Sequence, residues 1–266
     1  MEEGKVSIIM GVYDAEEKVI CRCIQSILAQ SYKNWELIVC DDGSKENTHD
    51  CLISWEKTDE RIKLLVNSKN MTLAPTLNRC IEVASGQYIA RMDIDDVAMP
   101  DRLQVQIEYL VGHPEIDFCG SEVKLFDDNG EWGYRREVEF PQNKDFLRTV
   151  PFVHPSVMAR KKFYETFLYS EERLYRRCED YEIFMRAYAQ GVRGANVQKP
   201  LLAYYSDRKT GKKMTLPHRL KGVVVRAKGF AELRLFPRAF WYIWKPIISG
   251  IIPQKVIRKI KNEEIE

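Results

Sequence analysis

Long hydrophobic runs are missing from this 266-residue sequence: no apolar stretch reaches the roughly 18 residues needed to span a bilayer. A soluble or peripheral protein is therefore expected. Cysteine pairs at metal-ligand spacing are missing too. The seven cysteines (Cys21, Cys23, Cys40, Cys51, Cys80, Cys119 and Cys178) are odd in number, lie mostly in apolar runs and include no CxxC. That indicates neither a zinc site nor a disulfide framework, so buried reduced thiols in the cytoplasm are the expectation. The opening "MEEGKVSII" is acidic and enters a β-branched run at once, unlike a signal peptide. No internal repeat or low-complexity linker is visible. Acid is scarce in one place only: residues 208–261 hold 15 Lys and Arg against a single acid, Glu232, whereas residues 1–207 hold 26 against 35. Such polarity suits a basic end that meets an anionic surface or a polyphosphate. The break near Ser206 is the expected internal boundary.

The first hundred residues read as repeated β–α units. "VSIIMGV" (6–12) is a continuous apolar run of the kind buried on both faces of a parallel sheet. "KVICRCIQSILAQ" (18–30) has helical spacing, and "WELIVCDD", "RIKLLV" and "YIARM" read as further strands. "TLAPTLNRCIEVA" reads as a helix with Pro75 near its first turn, where proline is tolerated. Further on, "DRLQVQIEYLVGH" reads as an amphipathic helix capped by Asp101, "DFCGSEVKLF" as a strand or pair, and "CEDYEIFMRAYAQG" as a helix with a glycine C-cap. The fold class is α/β, with a mostly parallel central sheet flanked by helices.

Ligands of open parallel sheets bind beyond the carboxyl ends of the strands. Those ends carry "VYDAEE", "CDDGS", "NSKN" and "RMDIDD" in turn, so acids from several strands converge on one edge. Asp93, Asp95 and Asp96 fall within four positions, directly after "YIA". Aspartate is a common turn and N-cap residue, which is the plain reading. Convergence from several strands favours a divalent cation instead, because oxygen ligands and clustered charge suit such an ion.

Taken together, "SIIMGVYDAEE", "SILAQSYKNWELIVCDDGS", "ASGQYIARMDIDDVAMPDRL", "HPSVM" and "CEDYEIFMR" resemble family-2 glycosyltransferases with a nucleotide-sugar-binding GT-A fold. The resemblance covers about Val6 to Tyr205, and it lies in the ordered combination of motifs. It implies metal-dependent inverting transfer from a nucleotide sugar, a UDP-hexose or UDP-N-acetylhexosamine, to a saccharide hydroxyl. Asp93 and Asp95 then form the D-x-D motif. Asp95 coordinates Mn²⁺ or Mg²⁺, and Asp93 contacts the ribose or a water on the metal. Asp96 either bonds to the donor sugar or caps the following turn. Asp42 receives the uracil N–H, with Asp41 structural or exchanged with it. Val12, Tyr13 and Asp14 line the base pocket, although strand-end packing explains Tyr13 equally well. Arg91 approaches the base or pairs with a carboxylate. In the "ED" pair opening a helix, Asp180 is the catalytic base beside Glu179; the plain alternative is that both acids complement the helix N-terminus. His154 stands where relatives place a histidine or similar group near the site and is read as donor-binding, although a histidine before proline is often a packed loop residue.

One departure is visible. Relatives carry an aromatic–Arg–x–His segment after the last strand, and here Tyr205 and Asp207 stand at the Arg and His positions. Arg208, Lys209, Lys212 and Lys213 are the substitutes expected to cover the phosphates.

The catalytic domain is expected over residues 1–207, with a nucleotide-sugar half to about 100 and an acceptor half after it. Residues 208–266 form a basic, aromatic, helical extension expected to hold the enzyme peripherally at the inner face of the cell membrane. Its aromatic and basic groups suit anionic headgroups, and packing on the catalytic domain is the alternative. A lipid-linked saccharide acceptor in surface-polysaccharide synthesis follows from the same reading, and nucleic acid is not an expected partner. A sugar-phosphate nucleotidyltransferase would need a Gly- and basic-rich loop after the first strand, where "GVYDAEE" is acidic. A non-catalytic binder would not need all three acidic elements.

Overall fold

Alternation along the strands sets the layers. On β1 (Val6–Val12), Val6, Ile8, Met10 and Val12 enter one hydrophobic cluster and Ile9 enters the other. Successive side chains of a strand face opposite sides, so a strand covered on both faces must be apolar throughout. In the computed structural model, which describes residues 4–208 and 215–251, α1 (Glu17–Leu28) buries Ile20, Cys23, Ile24 and Ile27, one stripe at helical spacing. That stripe packs on the first face of the sheet, with Leu52 of α2 (Glu46–Thr58) and Leu103, Ile107 and Leu110 from later in the chain. The opposite face takes Ala74, Leu77, Cys80 and Ile81 of α3 (Leu73–Val83).

β1, β2 (Trp35–Asp41), β3 (Ile62–Val66) and β4 (Tyr88–Arg91) form a parallel block in the order β3-β2-β1-β4, as the repeated units require. Beyond β4 the sheet becomes mixed. The elements there are β5 (Val97–Ala98), α4 (Arg102–Gly112), β6 (Phe118–Asp127), β7 (Gly130–Arg135), β8 (Met158–Arg160), α5 (Lys161–Thr166), α6 (Glu179–Ala189) and β9 (Gly194–Tyr205). β8 runs antiparallel between β4 and β6, β9 is parallel to β6, and β5 and β7 pair antiparallel at the margin. The full order is β3-β2-β1-β4-β8-β6-β9-β5, with β7 on β6. The expected parallel character therefore holds for the first half of the sheet, where each strand returns through a helix.

Asp101 precedes α4, but its carboxylate goes to Lys199 and makes no cap bond. The Leu103 N–H is taken by Gln30 Oε1 at 3.1 Å, so the helix start is satisfied from α1's end rather than by its own aspartate. After residue 215 the chain continues as α7 (Leu216–Glu232), α8 (Phe240–Ile243) and α9 (Lys245–Ile251). Val225, Phe230, Leu233, Ala239 and Ile243 are buried in the same cluster as α6, so this segment packs on the sheet's second face. No helix among the described residues is long and apolar enough to cross a membrane.

At the amino ends of the strands Glu36 is almost fully buried, yet satisfied. It accepts hydrogen bonds from Ser7 Oγ (2.6 Å), Ser85 N (2.8 Å), Ser85 Oγ (2.7 Å), Lys63 Nζ (2.7 Å) and Lys5 Nζ (3.0 Å). Burial alone would raise its pKa, but the Lys63, Ser7 and Ser85 contacts outweigh it and hold the carboxyl well below its usual 4.5. A depressed carboxyl stabilises the fold fully above the unfolded value, and that contribution is lost as pH falls. Glu36→Gln is expected to destabilise the protein by about 2 kcal/mol at neutral pH, the worth of hydrogen bonds to a buried charge. It should also flatten the loss of stability that the wild type shows as pH drops below 4.5. Urea midpoints across that pH range check both points, and equal acid sensitivity of the two proteins contradicts this role.

Candidate functional site

The register of the parallel block brings the strand ends level. Val12 sits beside Asp41 and Ile9 beside Arg91, while Asp42 N donates to Val12 O at 2.8 Å. A cavity of about 580 Å³ opens at this edge. Val12, Tyr13, Asp42 and Thr72 line one side, with Glu179, Arg177 and His218 across from them. Tyr13 is half exposed here, as a group free to stack on a flat ligand would be.

The two aspartates after β2 have separate tasks. Asp41 accepts Ser44 N (2.9 Å) and faces His49 Nδ1 (2.8 Å), so it ties the turn to α2. Asp42 accepts Asn67 Nδ2 and Met71 N on Oδ1 (both 2.7 Å) and Thr72 N on Oδ2 (2.9 Å). A carboxylate offers about four lone-pair sites, and three are used. The remaining one, on Oδ2, is free for a donor in the cavity. The bond to Asp42 also holds Thr72 at φ 78°, ψ 171°, a backbone region nearly confined to glycine. Asp14, at φ 46°, does not line the cavity; it accepts Lys45 N at 3.0 Å and its N–H goes to Ser44 Oγ at 3.0 Å.

Asp93, Asp95 and Asp96 occupy the turn between β4 and β5, and β5 is stitched to Leu202 and Ala203 of β9. One oxygen from each lies within 4.8 Å of the others. Asp96 is fully buried; its Oδ1 accepts Tyr205 N at 2.8 Å, while Oδ2 is buried without a partner. Burial first, then Asp93 and Asp95, pushes the Asp96 carboxyl well above its usual range, and burial followed by Asp93 raises Asp95. Arg22 steadies the turn from α1 by donating to Asp95 O at 3.0 Å. Hard oxygen donors, converging charge and an orphaned buried oxygen fit a divalent cation.

Arg91 is buried beside this turn and pairs with Asp93 Oδ1 at 2.5 Å, while its Nε and Nη1 have no partner. Burial alone would lower its pKa, but Asp93 keeps it firmly charged. His154 meets the Tyr169 hydroxyl at 2.7 Å, and burial, then Arg91, depresses its pKa so that the ring is neutral. Glu179 and Asp180 open α6 after Arg177, whose φ is 68°. Asp180 Oδ1 accepts Tyr181 N at 2.8 Å; Oδ2 has no hydrogen-bond partner among the described residues. Burial raises both carboxyls, opposed at Asp180 by the Tyr181 N–H and by Arg91. The two neighbours face different spaces. Glu179 lines the large cavity, and Asp180 lines a second one of about 240 Å³ between α6, α7 and α9.

Arg208 does not cover this edge, because Asp127 holds it through Nε (2.8 Å) and Nη2 (3.3 Å). Lys209, Lys212 and Lys213 lie outside the described residues. The cations that do line the large cavity are Arg176, Arg177 and Lys221, and His218 also borders it. They come from two separated segments, 176–177 and 218–221; their one signal was "RR" just before "CED".

The family model for glycosyl transferase family 2 matches residues 7–184. EpsE of Bacillus subtilis is 34% identical over 263 residues, covering 98% of this chain and 94% of that protein. Among solved structures, Staphylococcus aureus TarS 1–349 in complex with UDP-GlcNAc superposes with TM-score 0.68 at 18% identity, over 88% of this chain and 72% of that one. The mannosyltransferase PcManGT of Pyrobaculum calidifontis, in complex with GDP-Man and Mn²⁺, gives TM-score 0.65 at 17% identity, over 98% and 79%. With the acidic turn, the nucleotide-sized cavity and the "ED" helix gathered at one sheet edge, the chain belongs to glycosyl transferase family 2 and is a glycosyltransferase of GT-A fold.

Proposed function

We propose that the protein transfers a hexose or N-acetylhexosamine from its UDP donor to a hydroxyl of a saccharide acceptor, with inversion, in cell-surface polysaccharide synthesis. The observation that carries this reading is the set of acids under the influence of Arg91: it pairs with one of three clustered carboxylates and also acts on a raised, partly buried carboxylate, Asp180. The cavity lined by Val12 and Tyr13 receives the base, and the free site on Asp42 Oδ2 accepts its N–H. Asp95 and Asp93 would hold Mn²⁺ or Mg²⁺, with buried Asp96 behind them. When bound there, the ion supplies positive charge to the departing diphosphate. Asp180 takes the acceptor hydroxyl proton as that oxygen bonds to the anomeric carbon and the bond to the diphosphate breaks. The proton ends on Asp180 and the electron pair leaves with the nucleoside diphosphate. Arg91 keeps Asp93 in place and favours the charged form of Asp180. The neutral His154–Tyr169 pair packs beside Arg91.

We place the enzyme peripherally at the cytoplasmic face of a membrane, where a lipid-linked acceptor would be presented. Phe240, Trp241, Trp244 and Ile248 are exposed together on α8 and α9, and Trp241 is 76% exposed. Arg238 and Lys245 flank them. Each basic group near an anionic surface adds roughly 1 kcal/mol of attraction. The remainder of the basic stretch, from residue 252, lies outside the described residues.

Asp95→Ala is expected to abolish metal-dependent UDP binding and to raise the melting temperature of the metal-free protein slightly, since one charge leaves a self-repelling cluster. Titration calorimetry with UDP and Mn²⁺ decides it, and unchanged metal-dependent affinity removes Asp95 from the site. Asp180→Asn should bind UDP normally while transfer falls by about 10² or more, the usual worth of a positioned base. Because the Asp180 pKa is raised by burial, wild-type kcat/KM should climb with pH through a value above that of an ordinary aspartate. A wild-type acid limb in the ordinary range, or near-normal turnover in the mutant, moves the base elsewhere. At the membrane, the full chain should co-sediment with anionic vesicles in a salt-sensitive way, and Trp241→Glu should weaken this without changing UDP affinity. Truncation after Glu232 is a poor test, because Leu233, Ala239 and Ile243 belong to the core. Equal sedimentation of wild type and Trp241→Glu defeats this surface.

A further inference from the structure

The smaller cavity contains Asp180, the carboxylate proposed above as base, and the other charged side chains that line it are cations. Arg177, Arg226, Lys245 and His218 line it, against Asp180 alone among acids. Arg226 and Lys245 do not line the larger cavity, so they are not part of the donor pocket. Both are held in place. Arg226 Nη1 donates to Leu147 O (3.2 Å) and to Tyr181 Oη (3.0 Å), and its guanidinium lies 4.8 Å from the Tyr181 ring centroid. Its Nε and Nη2 make no hydrogen bond among the described residues. Lys245 Nζ is anchored on Arg148 O at 2.7 Å. The wall opposite α6 exists because α7 and α9 approach closely at Gly222, where a Cβ would stand 3.3 Å from the Pro246 ring. Sugar hydroxyls alone do not call for fixed cations, whereas phosphate oxygens do.

The geometry points to this cleft between α6, α7 and α9 as the acceptor site, and to an acceptor saccharide that carries a phosphate or diphosphate group held by Arg226 and Lys245. The assignment rests on Asp180 being the base, as proposed above. It gives the C-terminal helices a part in acceptor recognition, separate from any contact they make with a membrane. Two sources share this chemistry: a soluble sugar phosphate and a lipid-linked sugar diphosphate.

Calorimetric titration of the full chain, with UDP present, compares N-acetylglucosamine 1-phosphate with methyl N-acetylglucosaminide. The phosphate should bind at least about tenfold tighter, as one or two charge-assisted bonds would give. The advantage should shrink as salt is raised. Lys245→Gln and Arg226→Gln should each remove most of it while UDP affinity stays within about twofold, a smaller change than loss of one charged contact produces. A short-chain prenyl-diphosphate-linked N-acetylglucosamine, used as a third probe, separates the sources: tighter binding than the 1-phosphate assigns the lipid-linked one, and equal or weaker binding the soluble one. Equal binding of phosphate and methyl glycoside overturns the proposal. So does a phosphate preference that survives in Lys245→Gln, whose exposed side chain leaves folding intact, or a parallel loss of UDP affinity in that variant. Phosphate binding with no nucleotide release from any donor would instead defeat the transferase reading and leave an anion site in the cleft.

Discussion

A guanidinium buried with a single direct partner governs the site. Arg91 leaves water almost completely, and taking a charge from water is tolerated only where opposite charge is fixed nearby. Asp93 supplies that charge at 2.5 Å, and the electrostatic influence of Arg91 extends to Asp96, Glu179 and Asp180. The carboxylate cluster and the arginine therefore make each other possible. Without Arg91, three aspartates at one turn would be left to the weaker influence of Arg22 and Arg102; without Asp93, the arginine would lose its direct partner. Burial, seconded by the same field, acts against a proton on His154, which leaves that ring a neutral hydrogen-bonding group rather than a second cation.

The two ends of the parallel block treat acid in opposite ways. At the amino ends, Glu36 is enclosed by two lysines and two serines, and every strong interaction it can make is made within the protein. At the carboxyl-end edge, Asp96 Oδ2 is buried without a partner and Asp180 Oδ2 accepts no hydrogen bond among the described residues, while burial and Asp93 raise Asp95. Parallel strands produce this contrast, because all four end at one edge and their loops meet there. One end can be closed for stability only if the other is left for ligands.

Much of this was readable from the sequence where buried structure imposes a pattern. β1 and β2 are covered on both faces and must be apolar wherever no polar pair can form, so "VSIIMGV" and "WELIVC" stand out, with Ser7 and Glu36 bonded to each other. The "DIDD" turn and the "ED" helix were readable because their motifs came in a fixed order. What escaped was whatever depends on segments meeting in space. Strand β5 has two residues and exists through pairing with β9, so no local pattern marks it. Thr72 adopts a glycine-like backbone because Asp42 holds its N–H, and nothing in a threonine suggests that. Arg208 was read as a free cation, but Asp127 on β6 claims it. The cationic lining from α7 was invisible for the same reason: basic composition was plain in the chain, but its direction, inward over α6, was not.

The division of labour between Glu179 and Asp180 has a consequence for how this enzyme can change. Neighbouring residues on a helix point about 100° apart, and that rotation is what sends one carboxylate into the larger cavity and the other into the cleft beside it. Substitution at either position alters one chamber and leaves the other standing. A one-residue deletion or insertion between Arg177 and Tyr181 would turn the carboxylates through that angle and change which cavity each one lines. At the start of α6, a replacement touches one cavity at a time, whereas a change in length touches both.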